Sequence, residues 1–146
     1  MNQELLFKII LETPPAAVDF GLQKGSGNDY EIIQKQHSSN TDLVFDFKVI
    51  VRNNKNSLPD FFGPVVQGPA DERFVYIGIG TYAGEADSPW GRRLKVPLRG
   101  ISLEMINKLI SDPALVLETK VPGTGKDGTP SCATVKPFNG WHLSSH

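Results

Sequence analysis

Cysteine is nearly absent from this sequence, which contains Cys132 alone among 146 residues. An intrachain disulfide is therefore impossible, which fits a reducing compartment. Apolar runs of the roughly eighteen residues that a membrane helix needs are absent as well. The N-terminal segment has charges at Glu4 and Lys8 and no cleavage site of the secretory type. We therefore expect a cytoplasmic chain that does not enter a membrane.

An excess of positive charge is also missing. The chain has 15 basic and 16 acidic residues, for a formal net charge of −1. Proteins that bind nucleic acid without sequence preference usually present a strongly basic surface. Nucleic acid is therefore not expected as a partner. No cofactor is expected, and no metal is expected either, because Cys132, His37 and His142 are too few and too scattered for a zinc signature.

Glycine and proline are abundant, with 14 and 11 residues, while hydrophobic residues make up 39% of the chain. This composition is typical of a globular protein rich in turns and short strands. The length is the commonest one for a single domain with one core. We therefore predict one β-rich domain over residues 1–146.

Alternation of apolar and other residues predicts the strands. The apolar positions of the clearest two strands are Leu5, Phe7, Ile9 and Leu11 in the first, and Leu43, Phe45, Phe47, Val49 and Val51 in the second. Further strands are predicted at DYEIIQK (29–35), RFVYIGIGTY (73–82), RRLKVPL (92–98), ALVLETKV (114–121), CATVK (132–136) and WHLSS (141–145). Residues 16–28 and HSSNT (37–41) are interpreted as connections. Pro97 predicts an edge strand, because proline cannot donate a hydrogen bond to a neighbouring strand.

One helix is predicted to begin after Ser102, a favoured N-cap residue. Ile101 and Ile106 have the spacing of a hydrophobic staple, and Asp112 before Pro113 ends the segment. About seven strands with one helix indicate a mainly β (α+β) fold, either an antiparallel barrel or a sandwich.

Two glycine-rich segments resemble nucleotide-binding motifs but lack the required context. GTGKDGT (123–129) has Asp127 where a P-loop needs Ser or Thr, and Lys120 where it needs glycine. GIGTYA (78–83) follows an apolar strand, yet the segment after it cannot form the helix that meets the pyrophosphate. Both segments are interpreted as turns or strand ends.

A site for a small anionic or sugar-like ligand is the leading functional hypothesis. Lys24 and Ser26 lie in a glycine-rich loop whose backbone N–H groups suit an anion. Tyr82 and Trp90 offer flat aromatic faces to a ring, and the neighbouring arginines offer forked donors to a planar anion. The predicted ligand residues are Lys24, Ser26, Tyr82, Trp90, Arg92 and Arg93. The opposing interpretation makes Trp90 a core residue and the cations solvated.

Two alternatives remain open. The first is a protein-interaction or oligomerisation domain that uses the Pro97 edge strand or the 56–72 loop, with an apolar patch at Phe61, Phe62 and Val65. The second is a small enzyme in which Cys132 pairs with His37 or His142. The opposing interpretation of Cys132 is a small buried residue.

Five phrases together resemble a known family: DFGLQKGSG (19–27), FGPVVQGP (62–69), RFVYIGIGTYAG (73–84), WGRRLKVPL (90–98) and VPGTGKDGTPSCATVKPFNGW (121–141). The family consists of small bacterial proteins known only as a domain of unknown function. The resemblance runs almost from end to end and implies a bacterial single-domain protein. It implies no activity, cofactor or catalytic residue.

Overall fold

The computed structural model describes residues 3–15, 19–23, 30–51, 74–80, 93–98, 100–123 and 138–145. These residues form eight strands and one helix in two sheets. The elements are β1 (Gln3–Glu12), β2 (Asp19–Gln23), β3 (Tyr30–Ser39), β4 (Asp42–Val51), β5 (Phe74–Gly80), β6 (Arg93–Pro97), α1 (Leu103–Ser111), β7 (Leu115–Pro122) and β8 (His142–Ser145).

The larger sheet has five strands in the order β3-β4-β1-β7-β8. Its central strand is β1, which pairs antiparallel with β4 and parallel with β7. Leu5, Phe7, Ile9 and Leu11 are all buried, which confirms the apolar face predicted for the first strand. The parallel pair was not anticipated from the sequence. It requires a long connection, which here includes the second sheet and α1.

The β3–β4 hairpin is longer than predicted. His37, Ser38 and Ser39 were expected in a connection, but they belong to β3, and the turn consists of Asn40 and Thr41 alone. Asn40 has a φ of 56°, a left-handed conformation that asparagine tolerates better than most residues. The polar end of β3 is exposed, so it lacks the apolar alternation on which the prediction depended.

The smaller sheet has three strands in the order β2-β5-β6. Strand β2 corrects the prediction of a connection over residues 16–28, since DFGLQ pairs antiparallel with β5. Phe20 and Leu22 bury their side chains, and Gly21 lies opposite Gly78. Among the described strands β6 lies at an edge of this sheet, as Pro97 predicted.

The two sheets share one hydrophobic core. Phe7 and Phe47 stack in it with ring centroids 5.0 Å apart, and Trp141 meets Phe7 edge to face at 5.8 Å. The indole Nε1 of Trp141 donates a hydrogen bond to the Pro97 carbonyl oxygen, at 2.8 Å. Trp141 therefore links the end of β6 to the larger sheet. Because each described sheet has two open edges, the fold is a sandwich and not a closed barrel.

Helix α1 begins as predicted. The Ser102 hydroxyl accepts a hydrogen bond from the Met105 N–H, at 3.2 Å. The Ile101 and Ile106 side chains of the staple are both buried. The helix packs against β1 and β7 and ends at Asp112.

Candidate functional site

A row of alternating charges crosses the outer face of the five-stranded sheet, the face opposite the core. The strand register places Asp46 opposite both Lys35 and Lys8. Lys8 also lies opposite Glu118, which pairs with His142 at the far edge. Oppositely charged residues on facing positions of neighbouring strands stabilise a sheet by roughly 0.2–1 kcal/mol per pair. Of this row, Asp46 is the residue with an ion-pair contact among the described residues, and its partner is His37.

An open depression of about 390 Å³ lies over β3, β4, β1 and β7 on this outer face. Its apolar lining includes Leu6, Ile33 and Val116. Ile33 is 48% exposed, whereas Val116 is buried. The volume is in the range of pockets for small ligands, which are typically about 300–1,000 Å³ and mostly apolar. The depression is thus large enough for a small organic molecule.

Charged groups surround this apolar lining. Lys8, Lys35, Lys48 and Asp46 all contribute, so three lysines against one aspartate give the lining a net charge of +2. Lys48 is engaged with Glu4, with 3.6 Å between Nζ and Oε1.

The aspartate of the depression is engaged as well. Asp46 contacts His37, with 3.4 Å between Oδ2 and Nδ1. Lys8 and Lys35 form no ion pair within the described ranges of the chain, although both lie opposite Asp46. These two ammonium groups are the ones available to an anion.

A second cavity, of about 440 Å³, lies between the tips of the two sheets. Polar residues dominate its lining, among them Asp19, Ser38 and Asp42. One Asp42 oxygen, Oδ1, accepts the Thr13 N–H at 3.1 Å. A metal site needs more donors than this, and the described residues contain no group of three His, Cys, Asp or Glu side chains that could hold an ion.

The predicted ligand site falls mostly outside the described residues. Lys24, Ser26, Tyr82, Trp90 and Arg92 all lie there. Arg93 is described through its backbone, as the first residue of β6 opposite Gly78. The convergence of these residues therefore stays a prediction. The same holds for Phe61, Phe62 and Val65 of the 56–72 loop.

The two histidines of the catalytic alternative lie far apart. His37 belongs to β3 and His142 to β8, the two opposite edges of the five-stranded sheet. At about 4.8 Å per strand, four strand spacings separate them by about 19 Å. Cys132 lies outside the described residues, so its pairing with His37 or with His142 stays a prediction.

Sequence reasoning missed Lys8, Lys35 and the depression beside them. A signal was present in β1, where Leu6, Lys8 and Ile10 form a mixed second face. A fully solvated strand face would contain fewer apolar residues than this one. The neighbours of these residues on β3 and β7 are set by strand order, which local patterns do not encode.

These features define a class: a small β-sandwich protein whose five-stranded mixed sheet has an amphipathic depression on its outer face. A family model matches residues 5–144, and the chain therefore belongs to that family, described as a family of unknown function (DUF5990). This confirms the resemblance to an uncharacterised family. No curated protein and no solved structure matches the chain. Within the part of the chain that is described, no helix is long and apolar enough to cross a membrane.

Proposed function

We propose that this protein binds a small organic anion with an apolar body in the depression on the outer face of the five-stranded sheet. The observation that supports this most directly is the position of Lys8 and Lys35. Both line the depression beside Leu6 and Ile33, and neither forms an ion pair with another described residue. An apolar group would cover the exposed Ile33 side chain, while a carboxylate or phosphate would meet the ammonium groups.

The ligand needs both an anionic group and an apolar body, for physical reasons. An ammonium group on an open surface is well hydrated, so charge alone would bind weakly. Burial of apolar area adds about 25 cal/mol per Å². A ligand that combines an anionic group with an apolar body would gain both contributions. A bare inorganic anion would gain only the first.

Binding can be tested by calorimetric titration with phenyl phosphate and octanoate as probes. Inorganic phosphate and benzyl alcohol are the controls that keep only the charge or only the apolar body. We expect saturable binding of at least one probe and much weaker binding of both controls. Equal binding of probe and control, or no binding of any probe at millimolar concentration, would contradict the proposal.

A substitution locates the bound probe. Lys8→Gln should weaken probe binding about tenfold, because one charge-assisted contact contributes about 1.5 kcal/mol or more. Lys120→Gln is the matched control, since Lys120 belongs to the same outer face, on β7, but does not line the depression. The control variant should bind as the wild type does.

The site predicted from sequence is tested with the same probes, extended by a sugar phosphate such as glucose 6-phosphate. If Lys24→Gln or Arg92→Gln abolishes binding while Lys8→Gln leaves it unchanged, the ligand belongs to the glycine-rich loop and the Trp90–Arg93 segment. The opposite pattern supports the depression. The two locations are therefore distinguishable by the same titration.

A further inference from the structure

Strand β3 forms one edge of the five-stranded sheet and, among the described strands, pairs with β4 alone. In an antiparallel ladder, alternate residues direct their backbone N–H and C=O groups away from the paired neighbour. Residues 35–39 are all exposed, and β3 is ten residues long without proline. An edge of this length is a ready template for another strand.

An apolar side chain marks the middle of this edge. Ile33 is 48% exposed. No other large hydrophobic residue in the described part of the chain is exposed. Glu31 and Lys35 flank it on the same face, two residues to either side. This pattern is self-complementary. A twofold axis through Ile33 that relates two antiparallel copies of the strand places the negative residue of each copy opposite the positive residue of the other.

We propose that the chain forms a homodimer by antiparallel pairing of β3 with β3 of a second copy, centred on Ile33. In this register Ile33 of one copy lies opposite Ile33 of the other, and Glu31 of each copy lies opposite Lys35 of the other. The charge pairs occur twice, and cross-strand pairs of this kind stabilise sheets. A shift of the axis to Lys35 would place two lysines opposite each other, so the charges favour the first register over that one.

Gln34 supports the same register from the core side of the strand. Its side-chain Oε1 is buried and has no hydrogen-bond partner among the described residues. A buried unpaired polar atom is costly. With the axis at Ile33, Gln34 faces Ile32 of the other copy and lies diagonally next to the other Gln34, within reach of a long side chain. The carboxamide NH₂ of each Gln34 can then donate a hydrogen bond to the Gln34 Oε1 of the other copy.

The dimer shares Ile33 and Lys35 with the ligand proposal, but its own observations are the edge position of β3 among the described strands and the unpaired Gln34 Oε1, and it is tested without ligand. Sedimentation velocity over a range of micromolar concentrations should show a reversible monomer–dimer equilibrium. Lys35→Glu should raise the dissociation constant about tenfold, since the substitution enters the dimer twice and places like charges opposite each other. Glu31→Lys should act alike. The double variant, with both charges exchanged, should return to within about threefold of the wild type, because the cross-strand pairs are restored.

Cross-linking tests the register itself. Under mild oxidation, Ile33→Cys should form a disulfide between its two copies, since facing residues have Cα atoms about 4.5–5.5 Å apart. Lys35→Cys is the matched control, because its two copies would be about 14 Å apart along the strands. Wild type, with Cys132 alone, gives the background, and peptide mass spectrometry identifies the 33–33 link.

Three results would overturn the dimer. One is a chain that remains monomeric throughout the concentration range. The second is a dimer in which Ile33→Cys cross-links no better than Lys35→Cys, and the third is a dimer that the charge exchange does not restore. Circular dichroism of each variant shows whether it is folded, and the cross-linking comparison does not depend on the stability of the charge variants.

Discussion

At the scale of single residues, Gly123 has the most restrictive surroundings among the described glycines for which a Cβ can be assessed. Its N–H donates to the Glu12 carbonyl oxygen at 2.9 Å, just beyond the parallel pair of β1 and β7. A Cβ at this position would lie 2.7 Å from that oxygen and 2.8 Å from the Pro14 Cα. Both atoms belong to the backbone, so neither can move aside as a flexible side chain would. Only glycine fits here.

Gly123→Ala is therefore expected to lower the free energy of unfolding by about 1–3 kcal/mol, the range for forced overpacking. Gly21→Ala is the matched control, because a Cβ there would meet nothing within 4 Å. It should stay within about 1 kcal/mol of the wild type. Urea denaturation of both variants measures the difference. Equal stability of the two variants would show that the β1–β7 end can relax around a methyl group.

At the scale of elements, α1 shows how a short helix is held at both ends. The Ser102 side chain accepts the Met105 N–H, and the Ser102 N–H approaches the Met105 sulfur at 3.5 Å. Glutamate or glutamine usually occupies the position of Met105 in such a box. Thioether sulfur is a weak acceptor, so most of the capping energy belongs to the serine hydroxyl. At the other end, the Asp112 N–H donates to the Lys108 carbonyl oxygen.

Ser102→Ala should destabilise the protein by about 0.5–2 kcal/mol, because an N-terminal N–H loses its acceptor. Ser111→Ala is a suitable comparison, since Ser111 is an exposed serine in the last turn that donates to Lys108 O. An exposed substitution of that kind usually changes stability by less than about 0.5 kcal/mol. Thermal unfolding followed by circular dichroism gives both values. A larger loss for Ser111→Ala would refute the capping argument.

At the scale of the whole molecule, the sandwich is most strongly held at β1. This strand is central in the five-stranded sheet, its core face is buried, and α1 packs against it. Strand β8 is the opposite case, with four residues at an edge and partly exposed side chains. Such differences in burial and pairing produce different local opening free energies within one fold. Function is proposed at the outer face and at the β3 edge, away from the shared core.

Hydrogen exchange should reproduce this order. The amides of β1 are expected to exchange only through global unfolding, because β4 and β7 cover both of its edges. The amides of β8 should exchange at least tenfold faster, through local opening. Exchange followed by NMR or mass spectrometry checks the order. Equal protection of β8 and β1 would contradict it.

The local pattern of the sequence determined much of the fold. Alternation at Leu5 to Leu11 and at Leu43 to Val49 identified the buried faces of β1 and β4, and Ser102 identified the start of α1. Strand faces and helix caps are set by residues within a few positions of each other, so local sequence patterns predict them directly. Strand β2 and the end of β3 were missed because DFGLQ contains a glycine and His37–Ser39 is polar.

Only the tertiary structure decided which strands meet. Nothing local indicates that β7 pairs parallel with β1, and this pairing places Glu118 beside Lys8 and Val116 in the depression. The position of β3 at the edge likewise brings Lys35 opposite Asp46 and leaves Ile33 exposed. The physical reason is that side-chain alternation specifies a face, whereas strand order is selected by the packing of the entire core. The sequence thus determined most of the elements and their buried sides, and the fold determined the surfaces on which both proposals depend.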